Sequence, residues 1–449
     1  MIPRYTRPEM ARVWSEENKF ASWLKVEIAA VQAWADMGVV PHEDADKIEA
    51  NASFKIEDID RYEREMHHDM NSFLRSVNDS LGPEQRWLHL GLTSYDTEDP
   101  ATALRMVEAG RIIEADLEAL EQAIAAKALE HKDTLCMGRS HGMHAEPITF
   151  GLKMLNWLDE VRRARKRFAA AVEDIAVGKL SGPVGSHATV PPELEERVCA
   201  RLGLGVDAVS TQIVSRDRHA HYMQAIALIG ASLERFAVEV RHLQRTEVGE
   251  AEEPFSTGQM DLHLNPLEEK GERHQQGSSS MPHKRNPEKA ERVSGLAPVV
   301  RANSIAALEN VALWHERDIS QSSVERVIIP DSCLALDYML NLFTQIVRGL
   351  VVYPKRMLQN MEITQGVVFS QRVLLTLVEH GMSRHEAYPL VQAAAHIALD
   401  ERRPFRETIS EQPGVTNVLS KSQLDEIFDY GYFTREVDKS FARMGLMGD

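Results

Sequence analysis

The sequence predicts an all-α protein built on a central bundle of long helices, and three observations carry that prediction. First, Tyr222, Ile226, Ile229, Leu233, Phe236, Val240 and Leu243 recur at steps of three or four residues. At the rise of an α-helix, that stretch spans roughly 35–40 Å. Second, the pattern repeats through the middle of the chain, with almost no apolar–polar alternation of the kind strands need. Third, shorter helical patterns flank the long ones on both sides. The result is a three-domain, elongated organisation: an N-terminal helical domain over 1–92, a long-helix bundle over 93–355, and a C-terminal helical domain over 356–449. Long apolar helix faces need covering, so an oligomer is expected.

In the N-terminal domain, Trp14, Phe20, Trp23, Leu24, Ile28, Val31 and Trp34 mark a helix from Trp14 to Met37, ended by Gly38 and Pro41. Arg4 and Tyr5 lie in the extended start before it. A second helix is expected over Ile56 to Leu74, with His67, His68 and Asp69 midway. Neighbouring residues on a helix point in different directions, so His67 and His68 are not expected to chelate one metal ion. The polar run from His89 through Thr93, Ser94 and Asp96 leads into the first long helix. Any of those last three could cap it, and a helix N-terminus also receives carboxylates and phosphates.

Long helices follow on Leu104–Ile124, on Leu152–Ile175, and over about 292–314 and 331–361. Between the first two, Gly138 to Pro147 reads as a loop carrying Ser140, His141 and His144. Two histidines three apart form half a zinc site, but no third ligand follows at a recognised spacing. Proton transfer by a histidine fits better there. Around residues 314–326, Arg317 and Arg326 with Ser322 between them suit a phosphate, because the guanidinium fork matches its oxygens. C-terminal helical patterns lie around 371–380, 385–400 and 420–428.

Composition sets the outer limits. Of 449 residues, 43% are hydrophobic and 27% charged, which is a globular balance. The net charge of −17 argues against nucleic acid or an anionic membrane as partner, though not against a small anion held locally. Cys136, Cys199 and Cys333 are too few and too far apart for a disulfide framework or a thiolate metal site, and suit a reducing cytosol. The start, MIPRYTRPEM, has no apolar core of a signal peptide, and no run of 18 apolar residues exists. A cytoplasmic protein without metal or cofactor is expected.

The most distinctive stretch is Gly277-Ser278-Ser279-Ser280-Met281-Pro282-His283-Lys284-Arg285-Asn286-Pro287. It combines a mobile, hydroxyl-rich composition with cations, which suits a lid over an anion. It resembles the GSSxMPxKxNP signature of the fumarase/aspartase superfamily, here spanning 276–287. Ser140-His141-Gly-Met-His144-Ala and Gly91-Leu-Thr93-Ser94 fall where that superfamily places its other two active-site segments. Within it, Arg4-Tyr5, His67-His68-Asp69, Thr93-Ser94-Tyr-Asp96 and Trp314-His-Glu-Arg-Asp318 are similar to the adenylosuccinate lyase family, over essentially the whole chain.

That resemblance implies β-elimination of fumarate from adenylosuccinate, giving AMP, and from the succinylcarboxamide ribotide SAICAR, giving AICAR. It implies Ser278 as general base, with Ser279 the adjacent alternative, and His141 as general acid paired with Glu291. His68 and His89 line the site; Thr93, Ser94, Ser140, Gln212, Lys284 and Asn286 hold the succinyl carboxylates. Arg4, Tyr5, Arg317, Ser322 and Arg326 hold the nucleotide, and Arg292, His67 and Asp69 complete the substrate contacts. It also implies a homotetramer whose active sites collect segments from three subunits. Sixteen residues, Met260 to Gln275, stand where the family runs directly from Gly258-Gln259 into the signature; they read as a solvated extension or an enlarged lid. Ser140 stands where threonine is frequent, and Ser280 where alanine is. An argininosuccinate lyase or a fumarase is disfavoured by the Arg317–Arg326 cluster and the Arg4-Tyr5 start. A non-catalytic helical scaffold would be expected to have lost one of Ser278, His141 and Lys284.

Overall fold

A computed structural model describes residues 1–255 and 280–447. The chain forms two compact units: Met1–Ala119, Val161–Arg235 and Arg292–Phe343 make the first, and Leu120–Glu160, Phe236–Glu291 and Thr344–Asp449 the second. The helices Ser94–Glu130, Phe150–Ile175, Arg216–Gln244, Glu288–Glu309 and Ser320–Gly349 give residues to both. Three of them lie over the periodic segments named above, as the spacing requires.

In the first unit, Ser15 caps the Glu16–Asp36 helix by accepting the Asn18 N–H. Its aromatic face packs Phe20 and Trp23 against Phe54 and Phe73, with ring centroids 5.3–6.1 Å apart. Gly38, at φ 74°, ends that region in the left-handed conformation that glycine reaches without strain. The helix expected over Ile56–Leu74 is instead two, Ile56–Met66 and Asp69–Asn78. His67 turns left-handed at φ 51° while its N–H still bonds the Glu63 carbonyl, and His68 then caps the second helix. The helical period survives such a break, because the apolar residues on both sides still face one core; that is why periodicity alone misses it.

The segment from 331 to 361 also departs from expectation. One helix runs Ser320–Gly349 and a second Pro354–Met361. Between them, β-branched Val351 and Val352 pair with Ala251–Glu252 in the second unit, and Pro354 opens the new helix at N1. By length and composition Ser320–Gly349 could cross a membrane, with mean hydropathy 1.2 over its most apolar window, but 72% of that window is buried in protein. Its apolarity is used in packing.

The second unit also contains a correction. Gly138–Pro147 is not an open loop but most of an antiparallel hairpin, Leu135–Ser140 with Met143–Thr149. Ser140 pairs with Met143 across a two-residue turn in which His141 (φ 56°) and Gly142 (φ 76°) are both left-handed. That is the turn whose twist matches a hairpin. The C-terminal helices, Ser370–Glu379, Arg384–Glu401 and Lys421–Ile427, fall where their patterns place them. Ser383 with Glu386 and Ser420 with Gln423 close capping boxes at two of their starts.

Candidate active site

In the first unit, the polar residues singled out in the sequence collect around the start of two helices. The Ser94–Glu130 helix is opened by Thr93, whose N–H donates to the Asp96 Oδ2 at 2.8 Å. The other oxygen of Asp96 takes the Ser181 and Gly182 N–H groups at 3.1 and 3.3 Å, and the Lys179 ammonium at 2.5 Å. Lys179 and Asp96 are fully buried. Lys179 donates further to the Gly182 and Gln212 carbonyls, at 3.1 and 2.7 Å. One ion pair thus ties Thr93, the loop at 181–182 and Gln212 together. None of this was legible in the sequence beyond Asp96 as a cap.

Gln212 in turn accepts from Arg317 Nη1 at 2.9 Å. The Arg317 guanidinium lies 3.7 Å from the centroid of the Tyr95 ring, a cation–π contact, and its buried Nε has no protein partner among the described residues. Tyr95 hydrogen-bonds Ser322, and Ser322 Oγ accepts from Arg326 Nε at 3.3 Å. Arg326 Nη2 bonds Asp69 Oδ2 at 2.5 Å and lies 3.5 Å from Glu98 Oε2. Behind them, Arg216 is buried between Asp99, held bidentately at 2.8–2.9 Å, and Glu325. The spacing Ser322–Arg326 on one helix turn therefore does bring those two side chains together, and Asp69, Gln212 and Arg317 join them.

His89, left-handed at φ 56°, places Nδ1 2.8 Å from the Oε1 of fully buried Glu27. Glu27 also accepts the His89 N–H and the Thr97 hydroxyl. Burial works against the imidazolium, yet the charge and hydrogen bond of Glu27 hold the His89 pKa above its ordinary value. His67 and His68 are exposed. His68 Nδ1 accepts the Asn71 N–H at 3.3 Å, so a capping His68 carries its proton on Nε2. Arg4 is exposed on the 3-10 turn Pro3–Tyr5. Tyr5 meets Tyr338 edge-on at 5.3 Å, and Arg292 Nη1 reaches the Tyr338 hydroxyl at 3.5 Å. Tyr338 is a residue the sequence reading missed.

In the second unit, Ser140 and His141 stand exposed at the tip of the hairpin. The hairpin is braced from below. Arg139 forks onto both oxygens of buried Glu250 at 2.9 and 2.5 Å, and Asn360 donates to Glu250 at 2.8 Å. His144, opposite Arg139, has its pKa lowered by burial and by that guanidinium, so it faces the braced side as a neutral ring. The signature stretch is described from Ser280 onward; Ser278, Ser279 and the 260–275 segment lie outside the described residues. Lys284 is exposed, in a turn where its N–H bonds the Met281 carbonyl. Asn286 is half-buried, and Glu291 is exposed in the first turn of the Glu288–Glu309 helix. Glu253 anchors that turn: its two oxygens accept the Lys289 and Ala290 N–H groups at 3.0 and 2.9 Å. Among the described residues no three His, Cys, Asp or Glu side chains come together as a metal-holding group.

Chemically, the first unit offers a cluster of arginines with hydroxyls, suited to a phosphate, beside a helix N-terminus suited to a carboxylate. The second offers an exposed histidine on a rigid turn and a lysine at the foot of a serine-bearing segment. Residues 4–302 match a family described as "Lyase", and residues 366–444 a family described as "Adenylosuccinate lyase C-terminus". The chain is 48% identical over 446 residues to the adenylosuccinate lyase of Bacillus subtilis (strain 168), covering 99% of this chain and 100% of that one. It is 47% identical to the adenylosuccinate lyase of Streptococcus mutans, with the same coverage. Among solved structures, it resembles a fumarate lyase from Mesorhizobium sp. BNC1, with TM-score 0.87 at 24% identity over 98% of this chain and 99% of the other. It also resembles a 3-carboxy-cis,cis-muconate lactonizing enzyme from Pseudomonas putida, with TM-score 0.85 at 27% identity over 98% and 96%.

Proposed function

We infer, from the premise that this chain belongs to the adenylosuccinate lyase family of the fumarase/aspartase superfamily, that it eliminates fumarate from adenylosuccinate and from SAICAR. It is a carbon–nitrogen lyase of purine biosynthesis. A base takes the proton on the carbon next to a carboxylate. The resulting carbanion-like charge spreads into that carboxylate, and the C–N bond breaks with its electron pair going to nitrogen. An acid protonates the departing nitrogen, leaving AMP or AICAR and fumarate.

In this reading Ser278 is the base and His141, paired with Glu291, is the acid. Thr93, Ser94, Ser140, Gln212, Lys284 and Asn286 hold the succinyl carboxylates, and His68 and His89 border them. Arg4, Tyr5, Arg317, Ser322 and Arg326 hold the nucleotide. Arg292, His67 and Asp69 complete the contacts. The homotetramer, the sharing of each site between three subunits, the three-domain division and a cytoplasmic location belong to the same reading.

The observation that carries the phosphate assignment is the convergence of Arg317, Ser322 and Arg326 with Gln212 and Tyr95, from three separate stretches of sequence. The test is turnover of adenylosuccinate, argininosuccinate and malate by wild type and Ser278→Ala, following fumarate. Adenylosuccinate alone should be consumed, and Ser278→Ala should bind AMP but not turn over. Consumption of argininosuccinate or malate instead overturns the substrate, and near-normal turnover by the variant overturns the base.

A further inference from the structure

The Arg326 environment contains a carboxyl that none of the substrate roles uses. Glu98 lies on the first turns of the Ser94–Glu130 helix, 9% exposed, with Oε2 3.5 Å from Arg326 Nη2. Asp69 holds the same nitrogen at 2.5 Å and is itself stabilised as an anion by the Met70 N–H. Two carboxyls therefore compete for one N–H₂ group, and Asp69, nearer and better bonded, wins.

The wider balance points the same way. Asp69 faces Glu98 from the Asp69–Asn78 helix, Asp99 and Tyr95 from its own helix, Arg326 from the Ser320–Gly349 helix, and Arg317 from the segment before that. Asp99 and Glu325 are already committed to buried Arg216. Three guanidinium groups thus share four carboxyls before any phosphate arrives. A phosphate monoester brings close to two more negative charges above its second pKa of about 6. Like charges at this range disfavour each other strongly in a water-poor setting.

We propose that Glu98 is a positioning residue for phosphate binding. As a neutral carboxyl it leaves Arg326 with Asp69 as its single anionic partner, and the two Nη1 N–H groups of Arg326, which make no bond among the described residues, face the phosphate without a competing charge. As a carboxylate it draws the guanidinium back and repels the incoming anion. Burial and the Asp69 charge push the Glu98 pKa up to about 8, so the change falls within a readily measured range. Binding of a dianion then requires the protonated form, and affinity falls as pH rises through that value.

The inference rests on the nucleotide reading above, and the experiment separates the two. AMP is titrated into the full-length protein by calorimetry between about pH 7 and pH 9, where phosphate is already dianionic, and kcat and KM for adenylosuccinate are measured alongside. With Glu98 titrating at about 8, wild-type affinity for AMP falls about tenfold over that range, in KM rather than kcat. At about pH 8.5, binding takes up roughly three-quarters of a proton, read from the heat in two buffers of different ionisation enthalpy. Glu98→Gln, neutral at every pH, removes the slope. If this variant does not fold, the wild-type proton uptake decides alone. A pH-independent wild type, or a Glu98→Gln slope equal to that of wild type, overturns the role of Glu98 and leaves the nucleotide reading standing. No AMP binding at any pH overturns both.

Discussion

Removing the two members of the Lys179–Asp96 pair should have unequal consequences, and the inequality follows from their other bonds. Asp96 has, besides Lys179, three backbone donors: Thr93, Ser181 and Gly182. Lys179 has, besides Asp96, two carbonyl acceptors, of Gly182 and Gln212. In Lys179→Met the carboxylate keeps three N–H bonds that favour its charge, and the methionine stem fills most of the space. Breaking a buried pair costs about 3–5 kcal/mol, and this variant belongs at or below the lower end. In Asp96→Ala a buried ammonium loses the carboxylate it is bonded to, three N–H groups lose their acceptor, and a cavity opens. Each orphaned group costs about 1–3 kcal/mol, so this variant belongs at the upper end or beyond. The assay is urea denaturation followed by circular dichroism, with AMP affinity measured on whatever folds. The double variant Asp96→Asn/Lys179→Met should recover part of the loss of Asp96→Ala, because it buries no unpaired charge. Equal losses for the two single changes, or a larger loss for Lys179→Met, would refute the reasoning.

Three further outcomes are expected. Glu253→Ala removes the acceptor for two N–H groups at the start of the Glu288–Glu309 helix; it should cost about 1–2 kcal/mol and lower kcat by loosening Lys284 and Asn286. Unchanged kcat with reduced stability would confine Glu253 to capping. Glu27→Gln removes the charge that raises the His89 pKa, and an NMR titration of His89 should move down. Because that pKa is raised in the folded protein, its contribution to stability is full below the unfolded value near 6.5 and is lost as pH rises through the folded one, so the variant should be relatively most destabilised below about pH 6. Arg139→Met leaves buried Glu250 with Asn360 as its remaining side-chain partner and should cost about 3 kcal/mol, measurable by denaturant midpoint.

The long helices were legible because burial imposes their period directly: Tyr222, Ile226, Ile229, Leu233, Phe236, Val240 and Leu243 are all buried, and nothing local competes. The break at His67–His68 was not, because it costs only one left-handed residue and a side-chain cap, and leaves the apolar period intact on both sides. Gly138–Pro147 reads as a loop in sequence because the hairpin's strands are short and mostly exposed at the tip. His-Gly is a weaker turn signal than Asn-Gly, yet histidine shares the tolerance for positive φ. In the candidate site, the sequence singles out Arg317 and Arg326 by their chemistry, and Gln212 and Asp69 by resemblance. It does not single out the residues that hold them (Lys179, Glu27, Arg216, Glu98, Tyr338). A buried partner identifies itself by distance in space, and nothing in sequence separates Lys179 from the chain's many solvated lysines.

Seven non-glycine residues among those described have φ between 49° and 56°, and five of them are histidines: His67, His89, His141, His187 and His315. Four of those five lie in segments the sequence marks for the site. A left-handed L-residue costs roughly 1–2 kcal/mol relative to a helical one, a cost glycine avoids. Histidine at these turns thus stands where glycine would be cheaper, which is the pattern expected where a side chain is needed for chemistry. His141 gives the sharpest case, because its turn projects into solvent and its neighbour Gly142 would meet nothing within 4 Å if it carried a Cβ. His141→Gly should relieve the strain, lose some of the gain to the freer unfolded chain, and end between unchanged and about 1 kcal/mol more stable. Turnover of adenylosuccinate should nevertheless fall by about 10²–10⁴, the range for loss of a general acid. His141→Val provides the opposite control: it lacks the acid equally but forces a β-branched residue into the same turn, so it should be less stable than wild type. If His141→Gly were clearly destabilised, the imidazole would be part of the hairpin's structure rather than its chemistry; if it kept its turnover, the proton would have to come from elsewhere.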